Sequence, residues 1–254
     1  MLLAACAESA PESPKVAATT PASAPSPSAS PSPTFTPGPQ DLGELAAPDF
    51  EKGSLGVWTK DKRFVIYKKP KKSAKSLKLK AWNPIGQRLR LLVLSALRYE
   101  NEVGWLEVQV PERPNGSKGW IKSENPALRV DALPYRIEVD LSKFRLKLFN
   151  EGKVVQRFKV GVGQDQYPTP KGTFFVWSSA KLDPSGPYGR FALGLSGFSP
   201  VLSDWSGGGR SAIHGTGEPR DRGKKVSHGC VRVFNKDLRK LERIQLGTPV
   251  IITA

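Results

Sequence analysis

The chain has 254 residues, with 39 Lys and Arg against 23 Asp and Glu, for a formal net charge of +16. That length admits one large domain or two modest ones, and no run approaches the ~18 apolar residues a membrane-spanning helix needs. The positive surplus favours anionic partners, but no zinc-finger spacing, RNA-binding aromatic signature or basic helical stripe points to nucleic acid.

Residues 1–49 come first. Between Pro11 and Pro39 they are mostly Pro, Ser, Ala and Thr, too poor in apolar surface to offset the entropy of ordering, so they read as a disordered tether. The first 50 residues carry one Lys against five acids, so the positive charge lies elsewhere. Leu3-Ala4-Ala5-Cys6 resembles the lipobox of bacterial lipoproteins, which implies lipidation of Cys6 and a membrane-held protein. Ahead of its small residues stand only Met1-Leu2-Leu3, less than the basic segment and apolar core such a signal uses. The expectation therefore supposes a start upstream of Met1. A Pro-rich tether of ~30 residues at ~3.1 Å each could hold a folded domain ~90 Å from its anchor. Cys6 and Cys230, at opposite ends of the chain, argue against a structural disulfide.

Residues 50–131 show short β-type runs between turn residues: Phe64-Val65-Ile66-Tyr67, Arg90-Leu91-Leu92-Val93-Leu94, Trp105-Leu106-Glu107-Val108-Gln109-Val110 and Gly119-Trp120-Ile121. Pro114-Asn115-Gly116 marks a turn that makes a hairpin of the last two. Regular spacing of this kind predicts a small barrel. The order Gly104-Trp105-Leu106-Glu107-Val108, loop, Gly119-Trp120-Ile121 resembles a bacterial SH3-like domain, which implies a wall-binding or positioning role. Trp105 and Trp120 read at least as readily as core residues. Residues 51–131 hold 18 basic and 8 acidic residues, and the Lys-rich run between Lys68 and Lys80 reads first as a solvated face. An anionic wall polymer, anionic lipid or carboxylate-rich peptide would fit such a charge.

Residues 132–254 form the third segment. Tyr135-Arg136-Ile137-Glu138-Val139-Asp140 and Phe144-Arg145-Leu146-Lys147-Leu148-Phe149 alternate apolar and polar, so each reads as a strand with one buried face. Asn150-Glu151-Gly152-Lys153 turns into Val154-Val155-Gln156-Arg157-Phe158-Lys159-Val160, and Tyr167-Pro168-Thr169-Pro170-Lys171-Gly172 leads into a further strand from Thr173. Asn235 is placed to cap a helix through about Ile244, with Leu238 and Leu241 on its buried side and Gly247 stopping it. Pro249 to Ile252 returns as a last strand. The expected fold is mainly β, a sandwich-like domain with one main helix behind a small barrel.

Chemistry concentrates in Ser211-Ala212-Ile213-His214-Gly215-Thr216-Gly217 and Val226-Ser227-His228-Gly229-Cys230-Val231-Arg232. These hold both histidines of the chain and its only cysteine beyond the amino terminus. A thiol with an ordinary pKa near 8.5 is a modest nucleophile at neutral pH and needs an imidazole, a positive field or backbone dipoles beside it. Gly229 lets the turn before Cys230 be tight, and Gly215 leaves bare backbone next to His214. A zinc site from His214, His228 and Cys230 is chemically reasonable but lacks an evident carboxylate base for hydrolysis.

Ile213-His214-Gly215-Thr216 followed by Ser227-His228-Gly229-Cys230-Val231-Arg232 resembles the signature of the YkuD-type L,D-transpeptidases, and Thr169-Pro170-Lys171-Gly172-Thr173-Phe174 is similar to the family's Thr-Pro-x-Gly-x-Phe turn. The resemblance implies that Cys230 attacks the carbonyl of the third residue of a peptidoglycan stem peptide and expels D-alanine. His214 would move the proton and the Gly215 carbonyl would hold its ring. Backbone N–H groups around Gly229 and Cys230, with His228, would receive the oxyanion, and a second stem's amine would resolve the thioester into a 3→3 cross-link. Ser227 and Arg232 belong to the motif, Arg232 either binding a substrate carboxylate or bracing the loop. Tyr188, Phe191 and Trp205 lie where the family has a substrate lid, and read equally as packing residues. No metal or cofactor is required. The implied location is the cell envelope or periplasm. L,D-carboxypeptidase activity, attachment of a protein to the wall, and a non-catalytic tethered wall-binding protein are the alternatives.

Overall fold

The computed structural model describes residues 53–99, 102–204 and 207–254. Cys6, the tether and Trp205 lie outside the described residues. What is described is mainly β.

The first seven strands are β1 (Ser54–Thr59), β2 (Arg63–Tyr67), β3 (Ser76–Lys80), β4 (Leu91–Tyr99), β5 (Glu102–Gln109), β6 (Lys118–Lys122) and β7 (Leu128–Leu133). They form one sheet in the order β3-β2-β6-β5-β4-β1-β7, curled into a nearly closed barrel. The period-2 patterning explains the curl. In β2, Phe64 and Ile66 are buried while Arg63 and Val65 face solvent; inward side chains from neighbouring strands then share one interior. Val57, Phe64, Ile66, Leu91, Leu106 and Ile121 form its centre. β5 and β6 pair antiparallel with Leu106 opposite Ile121 and Glu107 opposite Trp120, the hairpin expected around Pro114-Asn115-Gly116. Trp105 is buried.

The remaining strands are β8 (Tyr135–Asp140), β9 (Arg145–Asn150), β10 (Lys153–Lys159), β11 (Val162–Gly163), β12 (Gly172–Lys181), β13 (Phe191–Phe198), β14 (Arg210–Thr216), β15 (Lys225–Ser227), β16 (Val231–Phe234) and β17 (Pro249–Thr253). Eight of them form a sheet ordered β10-β9-β8-β17-β12-β13-β14-β16, and β11 pairs with β15. Val139 stands opposite Leu146 and Ile137 opposite Leu148, so the alternating residues of both strands meet on the core face. Most pairings are antiparallel, but β17 runs parallel to β8, β14 to β16 and β11 to β15.

The helix differs from expectation. It is a single turn, α1 (Asn235–Leu238), running into a 3-10 turn at Arg239–Leu241, and the N-cap position is Phe234 with no side-chain cap. Asn235 Oδ1 is buried without a hydrogen-bond partner and packs against Gly189 and Gly215, where a Cβ would fall 2.3 and 2.2 Å away. Leu238 and Leu241 are both fully buried. Gly247, at φ +88°, then turns the chain so that its N–H bonds the Val176 carbonyl at 2.8 Å.

β12 joins the two halves. Phe174 and Val176 enter the carboxy-terminal core, while Phe175 enters the barrel core and Trp177 packs against it. Polar side chains of the barrel close the seam: Gln87 Nε2 donates to the Ser179 carbonyl at 2.7 Å, Asn83 Nδ2 to that of Trp177 at 3.2 Å, and Gln109 Nε2 to that of Thr173 at 2.5 Å.

Candidate active site

Parallel pairing of β14 with β16 sets Ile213 level with Val231 and His214 level with Arg232. Ile213 and Val231 belong to the buried core, so the residues between them in the alternation present to the opposite face. There His214, Cys230, Arg232, Ser227 and His228 line one cavity of about 210 Å³, together with Tyr188, Ser199, Leu202, Gly209, Arg210 and Ser211. Two strands and the turn before one of them thus bring the two motifs together.

The His214 ring is 3% exposed, and its Nδ1 lies 2.8 Å from the Gly215 carbonyl oxygen. A carbonyl only accepts, so Nδ1 carries the proton and Nε2 keeps its lone pair. Burial pushes the His214 pKa down to about 4, partly offset by the Gly215 bond; Arg232 lowers it further and Asp221 raises it. The resting imidazole is therefore neutral. Burial pushes the Cys230 thiol up, against a backbone hydrogen bond from Ala212 and the charge of Arg232, both of which lower it. A neutral thiol and a neutral base on one cavity follow.

Tyr188 packs its ring edge-on to His214, centroids 4.9 Å apart at 85°, and its carbonyl accepts the Gly215 N–H at 2.7 Å. The segment before β13 is thus tied to the strand carrying His214. Phe191, by contrast, is a core residue. Gly215 has no space for a side chain, since a Cβ would fall 2.2 Å from Asn235 Oδ1 and 2.9 Å from Leu238 Cδ2.

The turn at Cys230 is held from within. Ser227 Oγ donates to the Cys230 carbonyl at 2.6 Å and accepts the Gly229 N–H at 3.2 Å. Gly229 sits at φ +114°, a conformation that only glycine adopts without strain. Its N–H is thus engaged inside the turn, which differs from the expectation that it faces a reacting oxygen. His228 is exposed and lies against the Tyr167 ring, centroids 4.7 Å apart. The earlier Thr-Pro motif supports the same turn. Thr169 Oγ1 accepts the Gly163 N–H at 2.8 Å, Gly163 belongs to β11 beside β15, and the Gln164 N–H bonds the Ser227 carbonyl at 2.9 Å.

Arg232 braces and lines at once. Its Nη1 donates to Asp221 Oδ2 at 3.1 Å, and the same oxygen accepts the Thr216 hydroxyl at 2.7 Å; its Nε is buried and unpartnered. The sequence places Thr216, Ser211 and Tyr167 in its motifs without a role for any of them, and it gives no sign of Asp221. Asp221 sits in an unremarkable Pro-Arg-Asp turn, with no spacing to mark it. Among the described residues no group of three or more His, Cys, Asp or Glu is placed to hold a metal ion.

Comparison with known proteins follows this geometry. The family model of the YkuD L,D-transpeptidase catalytic domain matches residues 134–252. A Bacillus licheniformis protein named as the L,D-transpeptidase YkuD is 36% identical over 124 residues, which cover 48% of this chain and 68% of that protein. A Bacillus subtilis protein named as the L,D-transpeptidase YqjB is 33% identical over 144 residues, 53% of this chain and 77% of that protein. Among solved structures, that of the Enterococcus faecium L,D-transpeptidase is 24% identical, with a TM-score of 0.38, and the match covers 47% of this chain and 50% of that one.

Proposed function

The chain belongs to the YkuD family of L,D-transpeptidases, and from that premise we propose that it cross-links peptidoglycan stem peptides through a thioester on Cys230. The observation that carries this reading is the His214 imidazole, buried, neutral and oriented through Nδ1 by the Gly215 carbonyl, on the same cavity as the Cys230 thiol.

Cys230 Sγ attacks the carbonyl carbon of the third stem residue as its proton passes to Nε2 of His214. Because neither group is charged at rest, proton transfer accompanies attack and leaves no standing ion pair. The tetrahedral oxyanion takes a hydrogen bond from the Cys230 N–H, with His228 at the mouth of the cavity; a donor of this kind contributes roughly 3 kcal/mol. Collapse breaks the C–N bond, and His214 returns its proton to the departing D-alanine amine. The amine of a second stem then attacks the thioester, passes a proton to His214, and expels the thiolate, which recovers that proton. The product is a 3→3 cross-link. Ser227 holds the turn, Arg232 presents its free edge to a substrate carboxylate, and Tyr188 covers the imidazole.

Around this centre we assign residues 50–131 as an SH3-like module and residues 1–49 as a tether lipidated at Cys6, in an exported protein of the cell envelope. No helix among the described residues is long and apolar enough to cross a membrane. The anionic partner we assign to the barrel is a wall polymer. Arg63, Lys78 and Lys80 lie on the exposed face of β2 and β3, and Lys68, Lys69, Lys71, Lys72 and Lys75 are exposed in the connection between them.

The test is intact mass spectrometry of the full chain incubated with a disaccharide-tetrapeptide, beside Cys230→Ala. The expected result is an acyl adduct with loss of D-alanine and a cross-linked dimer, both absent in the variant. Hydrolysed tripeptide without dimer would reassign the acceptor to water, and no adduct at all would sink the catalytic reading.

A further inference from the structure

Between β13 and β14, the described residues 199–204 and 207–209 form one wall of the catalytic cavity through Ser199, Leu202 and Gly209. It closes on itself at its base, where the Ser199 N–H bonds the Gly209 carbonyl at 2.7 Å. Ser199 Oγ accepts the Val201 and Leu202 amides at 3.2 and 3.1 Å. Its own sequence fixes it poorly beyond that point. Gly207, Gly208 and Gly209 follow one another at φ +83°, +70° and +74°, and Val201 is 55% exposed. A glycine run has many conformations to lose on ordering, so the wall needs an external restraint.

That restraint comes from the barrel. Arg113, in the turn between β5 and β6, donates Nη1 to the Ser199 carbonyl at 3.0 Å and Nη2 to the Leu202 and Gly208 carbonyls at 2.9 and 3.2 Å. One guanidinium thus gathers both ends of the loop and its middle. Asn115 of the same turn bonds Phe198 reciprocally: Nδ2 donates to its carbonyl at 2.8 Å, and Oδ1 accepts its N–H at 2.9 Å. Arg210 ties the far end back, donating to the Pro111 carbonyl at 2.8 Å. A planar fork with five donors can collect several carbonyls in fixed directions, which a lysine ammonium on a flexible stem cannot.

We propose that Arg113 is a positioning residue of the catalytic cavity: the barrel clamps residues 199–204 and 207–209 where they form the wall on which the donor peptide lies. This rests on the reading that the cavity accepts a stem peptide. A contact that served stability alone would lower the melting temperature and leave substrate affinity unchanged.

The full chain, Arg113→Ala, Arg113→Lys and Asn115→Ala are compared by hydrogen–deuterium exchange and by steady-state acylation with a disaccharide-tetrapeptide. In Arg113→Ala we expect faster exchange confined to residues 199–209, and a KM for the donor raised about tenfold, which corresponds to ~1.4 kcal/mol. The expected kcat stays within about twofold of wild type, because the interaction lost is one of uniform binding. Arg113→Lys recovers part of the affinity. Unchanged exchange in the loop overturns the clamp; faster exchange with an unchanged KM overturns its role in the cavity. Should Arg113→Ala fail to fold, Arg113→Lys, which keeps the charge and loses the planar fork, carries the test under the same criteria. A wild-type chain that is never acylated would remove the functional reading, and loop exchange would still decide the clamp.

Discussion

Replacing Thr169 by Val tests whether the Thr-Pro turn supports the catalytic turn or merely precedes a strand. Thr169 is buried, and its Oγ1 is the acceptor for the Gly163 N–H at 2.8 Å. Valine keeps the shape and removes the acceptor, leaving a buried N–H unpaired at about 1–3 kcal/mol. Folded segments of this size lose roughly 2–4 °C of Tm per kcal/mol, so Thr169→Val is expected to melt about 4–8 °C lower at mid-range. The effect should also reach Cys230, since Gly163 lies in the strand pairing with β15, Gln164 holds the Ser227 carbonyl, and Ser227 holds the Cys230 carbonyl. Thermal melting and acylation by a tetrapeptide donor are measured together, with Thr169→Ser as the variant that keeps the hydroxyl. The expected order in both is wild type, then Ser, then Val. A Thr169→Val chain that melts with wild type and acylates at its rate would refute the reasoning, because the buried amide would then have found another partner at no cost.

The pH profile of acylation should have its acid limb near 4, because burial holds the His214 pKa at about 4 and the base acts when neutral; a limb near 6.5 would mean a solvated imidazole. The same shift sets a stability window. The unfolded chain takes up the proton first as pH falls through its ordinary value of about 6.5, so stability present above that pH is lost progressively toward 4, which denaturant melts at pH 7.5 and 4.5 would reveal. Gly215→Ala should cost about 1–3 kcal/mol through overpacking and reduce acylation, since its Cβ would meet Asn235 Oδ1 at 2.2 Å and Leu238 Cδ2 at 2.9 Å; a single variant with wild-type rate and Tm would contradict that crowding. Changing Lys71, Lys72 and Lys75 to Gln should weaken binding to poly(glycerol phosphate) and flatten its dependence on salt, measured by sedimentation at two ionic strengths; an unchanged salt slope would remove the wall-polymer assignment.

Much of the fold was legible because each relevant pattern was local. Alternation at Tyr135–Asp140 and Arg145–Asn150 places Ile137 and Val139 against Leu148 and Leu146, and Pro114-Asn115-Gly116 joins the strands that do pair. The spacing around Asn235 suits a helix cap, but its side-chain oxygen is packed without a hydrogen-bond partner against Gly189 and Gly215, 20 and more positions away. The two motifs around His214 and Cys230 point to the candidate site because their residue types are rare in this chain, and the fold brings both to one cavity. Asp221 is unmarked in the sequence, and Thr216 stands in its motif without a role, for the opposite reason: their connection to Arg232 exists only once parallel pairing of β14 with β16 and the intervening turn bring them together.

The least legible feature was the dependence of one half on the other. Phe174-Phe175-Val176-Trp177 is a continuous apolar run where a sheet with one solvated face would alternate, and such runs mark strands buried on both sides. Here the second face belongs to the barrel, which takes Phe175 completely and packs against Trp177. Burying one such side chain contributes about 1.5–3 kcal/mol, so separating the halves would expose that surface and strand the bonds from Asn83, Gln87 and Gln109 to the β12 backbone. The same seam carries Arg113 and Asn115 to residues 198–208. A shared strand fixes the barrel against the catalytic half, and only a barrel so fixed can hold the cavity wall at hydrogen-bond precision. The proposed clamp on residues 199–204 and 207–209 therefore follows from β12 contributing side chains to both cores, and it would let the barrel act on the site whether or not it also binds the wall.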